Sequence, residues 1–185
     1  MADVFYTSDL HIGHELVACL RGFRTMYEHD AALADLWRAQ VHDDDQVWIL
    51  GDLSMNMTKG LNWIAELPGT KHLITGNHDR AFPGNRDSHK VQRTYLEHFA
   101  SVQLAARHKI AGTNVFLSHF PYTEDRGPEA REMQWRLRDE GGLLLHGHVH
   151  SPVKLTSPRE LHVGFDAWQR FVTRDDVAEQ FGLEA

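Results

Sequence analysis

Hydrophobic residues in this chain fall in short unbroken runs that stop at a small or charged residue. The plainest is Val47-Trp48-Ile49-Leu50, followed at once by Gly51-Asp52. A run with no polar alternation predicts a strand covered on both faces. The same form recurs in Val4-Phe5-Tyr6-Thr7-Ser8 before Asp9 and His11, and in His72-Leu73-Ile74-Thr75 before Gly76-Asn77-His78-Asp79. It returns in Val115-Phe116-Leu117-Ser118 before His119, and in Leu143-Leu144-Leu145 before His146-Gly147-His148-Val149-His150.

Between these strands the apolar spacing turns helical. Helices are predicted over 15–20, over 31–41 with Asp30 as cap and Leu33, Leu36, Trp37 and Val41 on one side, over 58–67 with Leu61, Ile64, Ala65 and Leu67 inward, and over 88–99. Pro68-Gly69 stops the third. Alternating strands and helices call for parallel strands with right-handed crossovers. The second half changes character. Residues 102–110 and 114–118 flank Ala111-Gly112-Thr113 as a hairpin, 121–128 reads as a loop, 129–139 as a charged helix and 143–145 as a buried strand. A second hairpin pairs 153–156 with 161–163, and 175–181 forms a terminal helix. A mixed α/β sandwich, two sheets with helices outside and a site at the strand carboxyl ends, accounts for this order better than one flat parallel sheet.

Composition narrows the picture. The 185 residues suit one domain, 1–185, and 42% hydrophobic content suits a globular core. No apolar run reaches the length needed to cross a bilayer, and Met1-Ala2-Asp3 lacks the positive start of a secretory signal, so a cytoplasmic protein with no membrane partner is expected. The net charge of −7 argues against an extended nucleic-acid surface but leaves small phosphate compounds open. Cys19, the lone cysteine, can form no internal disulfide and reads as a small buried hydrophobe near a helix end. His42-Asp43-Asp44-Asp45 lacks the ligand spacing of a calcium loop and reads as a solvated turn. Fourteen histidines is a high count, and several follow the predicted strands. Asp9 and His11, two apart in an extended chain, would share a face and reach one ion. His146, by alternation, points into the core instead.

Asp9-x-His11, Gly51-Asp52, Gly76-Asn77-His78-Asp79, His119 and Gly147-His148-Val149-His150 together resemble the calcineurin-like metallophosphoesterase superfamily, in its order, over residues 9–150. The resemblance implies that Asp9, His11, Asp52 and His150 hold one divalent ion and that Asp52, Asn77, His119 and His148 hold a second, with Asp52 between them. Mixed carboxylate, imidazole and amide donors suit manganese, the favoured ion, and also iron, zinc or nickel. Two such ions about 3.5–4 Å apart share a water, lower its pKa to supply hydroxide and clamp a phosphoryl group for in-line displacement. His78 would face the leaving group as general acid, with Asp79 orienting its ring.

His14 extends the first motif to Asp-x-His-x-Gly-His, the form of small bacterial and phage members. It either touches the substrate phosphate, braces a ligand or merely starts a helix. Tyr122, in His119-Phe120-Pro121-Tyr122, could stack on a base or aryl group, or simply pack. The remaining histidines, 29, 42, 72, 89, 98, 108 and 162, read as surface or satisfied core residues. Asp166, in Gly164-Phe165-Asp166-Ala167-Trp168, is a candidate for bracing a ligand from behind.

Two divalent ions, Asp9, Asp52 and one hydroxide leave a formal charge of about +1, which complements a monoanionic diester. The phosphatase motif Gly-Asp-x-Val-Asp-Arg-Gly supplies an arginine for dianionic monoesters, where this chain has Gly51-Asp52-Leu53-Ser54-Met55-Asn56-Met57. The expectation is a phosphodiesterase acting on small diesters or cyclic nucleotides, the 2′,3′-cyclic kind favoured. Arg80 or Arg126 could still serve a monoester, and a non-catalytic scaffold on the same fold is the other alternative.

Overall fold

The computed structural model describes residues 2–122 and 132–184. Strands β1 (Val4–Thr7), β2 (Gln46–Leu50) and β3 (Thr70–Ile74) lie parallel. Helices α1 (Glu15–Leu20) and α2 (Met26–Gln40) connect the first pair, and α3 (Met57–Ala65) the second. After α4 (Ser88–Leu96), β4 (Ser101–Gln103) adds in parallel beside β3. The second sheet holds β5 (Ala105–Ile110), β6 (Thr113–Ser118), β7 (Leu143–His146), β8 (Leu155–Ser157) and β9 (Glu160–His162), in the order β5-β6-β7-β9-β8. Its β6, β7 and β9 run parallel, and its two edges are antiparallel. The chain closes through α5 (Phe165–Trp168), β10 (Val172–Thr173) antiparallel to β1, and α6 (Arg174–Phe181).

The apolar runs follow from this layering. Val47 and Ile49 of β2 face a core with Leu33 and Trp37 of α2, Leu61 and Ile64 of α3 and Tyr95 of α4. Trp48 and Leu50 face the opposite core, against Ile110, Val115, Leu117, Leu145 and Leu161 of the second sheet. Alternate side chains enter two different apolar layers, so no polar position is left along the strand. The expected two-sheet sandwich flanked by helices is what forms. No helix among the described residues is long and apolar enough to cross a membrane.

Several elements differ from expectation. Residues 102–110 do not form one strand: the chain leaves the first sheet after Gln103 and enters the second at Ala105. Both pieces carry partly exposed side chains, so their pattern hides the crossing at Leu104. The cap of α2 is Thr25, whose side chain accepts from Glu28 N, while Asp30 lies inside the helix and accepts from Gly13 N. Of the charged helix predicted over 129–139, residues 129–131 lie outside the described residues, as do 123–128 of the preceding loop and Arg126. Beyond them Met133–Trp135 makes one 3₁₀ turn, where Trp135 packs on Phe82, and Asp139 accepts from Gly141 N and the Arg159 guanidinium. Cys19 is exposed because the inward position of α1 belongs to Ala18. Asp45, placed in a solvated turn, is buried and accepts from the amides of Asp3 and His42. The short α5 and β10 fall below the length at which periodicity is readable.

Candidate metal centre

The loops that leave β1, β2, β3, β6 and β7 at their carboxyl ends meet above the seam of the two sheets. Backbone hydrogen bonds tie them together: Asp9 N to Gly51 O at 3.0 Å, His11 N to Asp52 O at 3.0 Å and Gly147 N to His119 O at 2.9 Å. The approach is close enough to dictate residue type. A Cβ on Gly51, where φ is +91°, would collide with the His119 ring and come within 2.7 Å of Gly76 N. A Cβ on Gly147 would collide with the Ser8 hydroxyl and lie 2.6 Å from Asp9 Oδ2.

The expected extended geometry of Asp9 and His11 is not what brings them together. Asp9 (φ 55°), His11 (50°), Asp52 (57°), His148 (72°) and His150 (47°) are all left-handed. Such backbone costs roughly 1–2 kcal/mol per non-glycine residue and persists where the surroundings enforce it, often at functional sites. Five of the predicted ligands thus sit in strained turns that aim them at one point.

The side chains converge. His11 Nε2 is 3.0 Å from His150 Nε2, 3.7 Å from Asp52 Oδ2 and 4.0 Å from Asp9 Oδ1, and His150 Nε2 is 3.7 Å from Asp9 Oδ1. On the other side His119 Nε2 lies 3.5 Å from Asp52 Oδ2 and 3.2 Å from Asn77 Oδ1, and the His148 ring is 5.1 Å from that of His119. Two groups of donor atoms, from Asp9, His11 and His150 and from Asp9, Asp52 and His119, each fall within 4.8 Å of one another. Ligands about 2.1 Å from a shared ion stand roughly 3–3.5 Å apart, so the spacing fits divalent cations with little adjustment.

The electrostatics fit as well. Burial and then the Asp9 charge push Asp52 well up, whereas the surrounding imidazoles of His119, His150 and His11 outweigh burial and hold Asp9 down. Two buried carboxylates facing each other shed both protons readily only beside added positive charge, which a cation provides. Burial lowers His11 to about 3, leaving it in the neutral form that ligates.

A further ring of contacts aims these donors. His119 Nδ1 donates to Leu50 O at 2.7 Å, which leaves the Nε2 lone pair facing Asp52. His150 Nδ1 pairs with Asp166 Oδ2 at 2.9 Å, so Asp166 braces a predicted ligand. Burial raises the Asp166 pKa, but hydrogen bonds from Arg21 and His150 hold it well below the usual range. Arg21 is the residue that sequence reasoning missed. Its guanidinium donates to both Asp166 oxygens at 2.8 and 2.9 Å, to Asp9 O at 2.7 Å and to Leu10 O at 3.3 Å, and it meets buried His29 at 3.0 Å.

Other predicted residues take different places. Asp79 does not orient His78: its buried carboxylate accepts from the amides of Asp52, Leu53 and Gly76 at 3.0, 3.1 and 2.9 Å, fastening the second and third loops to each other. Burial and the Asp52 charge push it up to about 7. His78 stands at the rim, its ring 39% exposed, with Nε2 3.9 Å from Asp52 Oδ2 and its backbone amide donating to Asp52 Oδ1. His14 caps α1 by accepting from Val17 N and lies edge-on to His11. Arg80 is exposed two residues past His78. Tyr122 reaches away, toward Gly142 at the amino end of β7. His146 is fully buried between Gly147 O and Thr156. His162, expected to be a surface or satisfied residue, is buried with neither ring nitrogen hydrogen-bonded.

Residues 3–164 match the family model of the calcineurin-like phosphoesterase superfamily domain. The chain is 48% identical to the Gene 66 protein of Mycobacterium phage L5, over 96% of this chain and 93% of that protein. It is 47% identical to the Gene 66 protein of Mycobacterium phage D29, over 97% and 96%. A protein of unknown function from Aquifex aeolicus shares the fold, with a TM-score of 0.71 at 20% identity over 97% of this chain and 99% of that one.

Proposed function

Because the chain belongs to the calcineurin-like phosphoesterase superfamily, we propose that it is a metal-dependent phosphodiesterase acting on small diesters or cyclic nucleotides, the 2′,3′-cyclic kind favoured. The observation that carries this reading is the convergence of two carboxylates, several imidazoles and the Asn77 amide from five strand ends. Asp9, His11, Asp52 and His150 would hold one ion and Asp52, Asn77, His119 and His148 the other, manganese being the favoured metal. When bound, such a pair of cations lowers the pKa of a coordinated water and offsets charge on a phosphoryl group.

The chain's own residues supply the rest. His78, exposed at the rim, would give a proton to the departing ester oxygen. Burial and the His119 and His14 imidazoles lower its pKa, and an arriving phosphate anion acts in the opposite sense, favouring the charged ring when substrate is present. Asp79 keeps His78 and Asp52 in register by pinning the loops that carry them. The preference for diesters rests on the formal charge of about +1 and on the stretch after Asp52, which lacks the phosphatase arginine.

The test compares bis(p-nitrophenyl) phosphate with p-nitrophenyl phosphate as substrates of the manganese-loaded protein. Faster hydrolysis of the diester is expected, with loss of turnover under chelator and a fall in kcat of about 10²–10⁴ in His78→Ala. A monoester rate well above the diester rate would overturn the preference. A folded, metal-loaded protein that leaves both esters intact would overturn the hydrolase reading and favour a scaffold.

A further inference from the structure

A cavity of about 410 Å³ lies beside the metal centre and shares the His150 side chain as a wall. Its volume is in the range of small-molecule sites. His150 points Nε2 at Asp9 and the cluster, so a phosphoryl group held there would lie one imidazole away from this space. The other walls define what could fill it. Leu20, Phe23, Pro152 and Phe165 are apolar, and Leu20, at 77% exposure, is the most exposed large hydrophobic residue recorded on the described surface. The charges present are spent on each other, because Arg21 and Asp166 form a two-point pair that is also bonded to Asp9 O and His150. An ionic group therefore gains nothing by entering.

The two aromatic walls each pack against a neighbouring side chain. The Arg21 guanidinium lies 5.2 Å from the centre of the Phe165 ring, and the Phe23 ring stands edge-on to buried His29 at 5.3 Å. Gln169 supplies the one uncommitted polar group: its side-chain amide bonds to no other described residue. Apolar walls with a single amide at the edge suit a flat uncharged ring that carries hydrogen-bonding atoms.

Resting on the hydrolase reading above, we propose that this cavity is the subsite for the nucleobase of a nucleoside phosphodiester, whose phosphoryl group sits at the cluster across His150. The reading narrows the substrate class and gives the exposed Leu20 a purpose at the cavity mouth.

Calorimetric binding of uridine and adenosine 5′-monophosphates to the manganese-loaded protein, with ribose 5-phosphate as the base-free comparator, tests it. The nucleotides should bind about tenfold tighter or more than ribose 5-phosphate, as base stacking on apolar side chains provides. Leu20→Ser, at an exposed position, and Gln169→Asn, which tolerates left-handed backbone, should each shrink that ratio severalfold with the melting temperature held. Equal affinity for all three ligands, or a ratio unchanged in both variants, would overturn the subsite. A second arm compares a p-nitrophenyl ester of a nucleoside 5′-phosphate with methyl p-nitrophenyl phosphate, expecting a lower KM for the nucleoside ester. Turnover of both at equal KM would remove the subsite and keep the hydrolase. Base-selective binding with no turnover of either would do the reverse.

Discussion

One buried guanidinium holds several of the gathered donors in register. Arg21, its side chain 6% exposed, bonds the carbonyls of Asp9 and Leu10 and the carboxylate that braces His150. Asp166→Asn keeps an oxygen for the His150 N–H but loses the charge and the two-point pair. Its manganese affinity, read by calorimetric titration, should fall about 10–100-fold, the usual effect of removing a group that orients a ligand. Unchanged affinity would deny Asp166 that role. Arg21→Met leaves the part-buried Asp166 carboxylate with His150 as its remaining partner and should cost about 1.5–3 kcal/mol in urea unfolding. The donors themselves were legible because each follows an apolar run directly. Arg21 was not, since nothing in local pattern links it to a partner 145 residues away. The left-handed turns carry only a faint signal: aspartate and histidine are among the residues enriched there.

At the level of elements, legibility follows burial. The strands β1 to β3 lie between two apolar layers, and their runs announced them. Residues 101–110 have one half-exposed face in each sheet, so their change of layer left no mark. That crossing delivers His108 of β5 to the interior of the sandwich, where it bonds Tyr6 of β1 at 2.8 Å and stands edge-on to Trp48 of β2 at 4.6 Å. Burial first, then Arg174 of α6 and His72 of β3, lower it to about 4. The folded protein therefore holds this ring neutral over a range where the unfolded chain, with an ordinary value near 6.5, binds a proton. Its contribution to stability is whole above about pH 6.5 and is lost as pH falls toward 4. In metal-free protein, His108→Gln keeps a partner for the Tyr6 hydroxyl and removes the titration. Its unfolding midpoint in urea should decline less steeply than the wild type's between pH 6.5 and 4. Parallel curves would show that His108 does not carry this dependence.

Across the whole molecule, the candidate metal centre is also a joint. Asp9, His11, Asp52 and Asn77 hang from the first sheet, and His119, His148 and His150 from the second. The sheets otherwise meet through apolar side chains and through loop contacts such as His148 N to Asp9 Oδ2 at 2.9 Å. A cation held by donors from both sheets binds the folded state and not the unfolded one, so it must stabilise the fold by mass action. At a hundredfold excess over Kd this is about 2.7 kcal/mol per site. For a chain of this size each kcal/mol moves the melting temperature by about 2–4 °C, which predicts a rise of roughly 5–10 °C for one filled site. Differential scanning calorimetry with manganese and then with chelator should show the rise and its reversal. Asp52→Asn should diminish it more than Asp166→Asn does, because Asp52 faces both donor groups while Asp166 acts only through His150. A melting temperature indifferent to manganese and chelator in the wild-type protein would mean that these donors, although gathered, do not grip an ion.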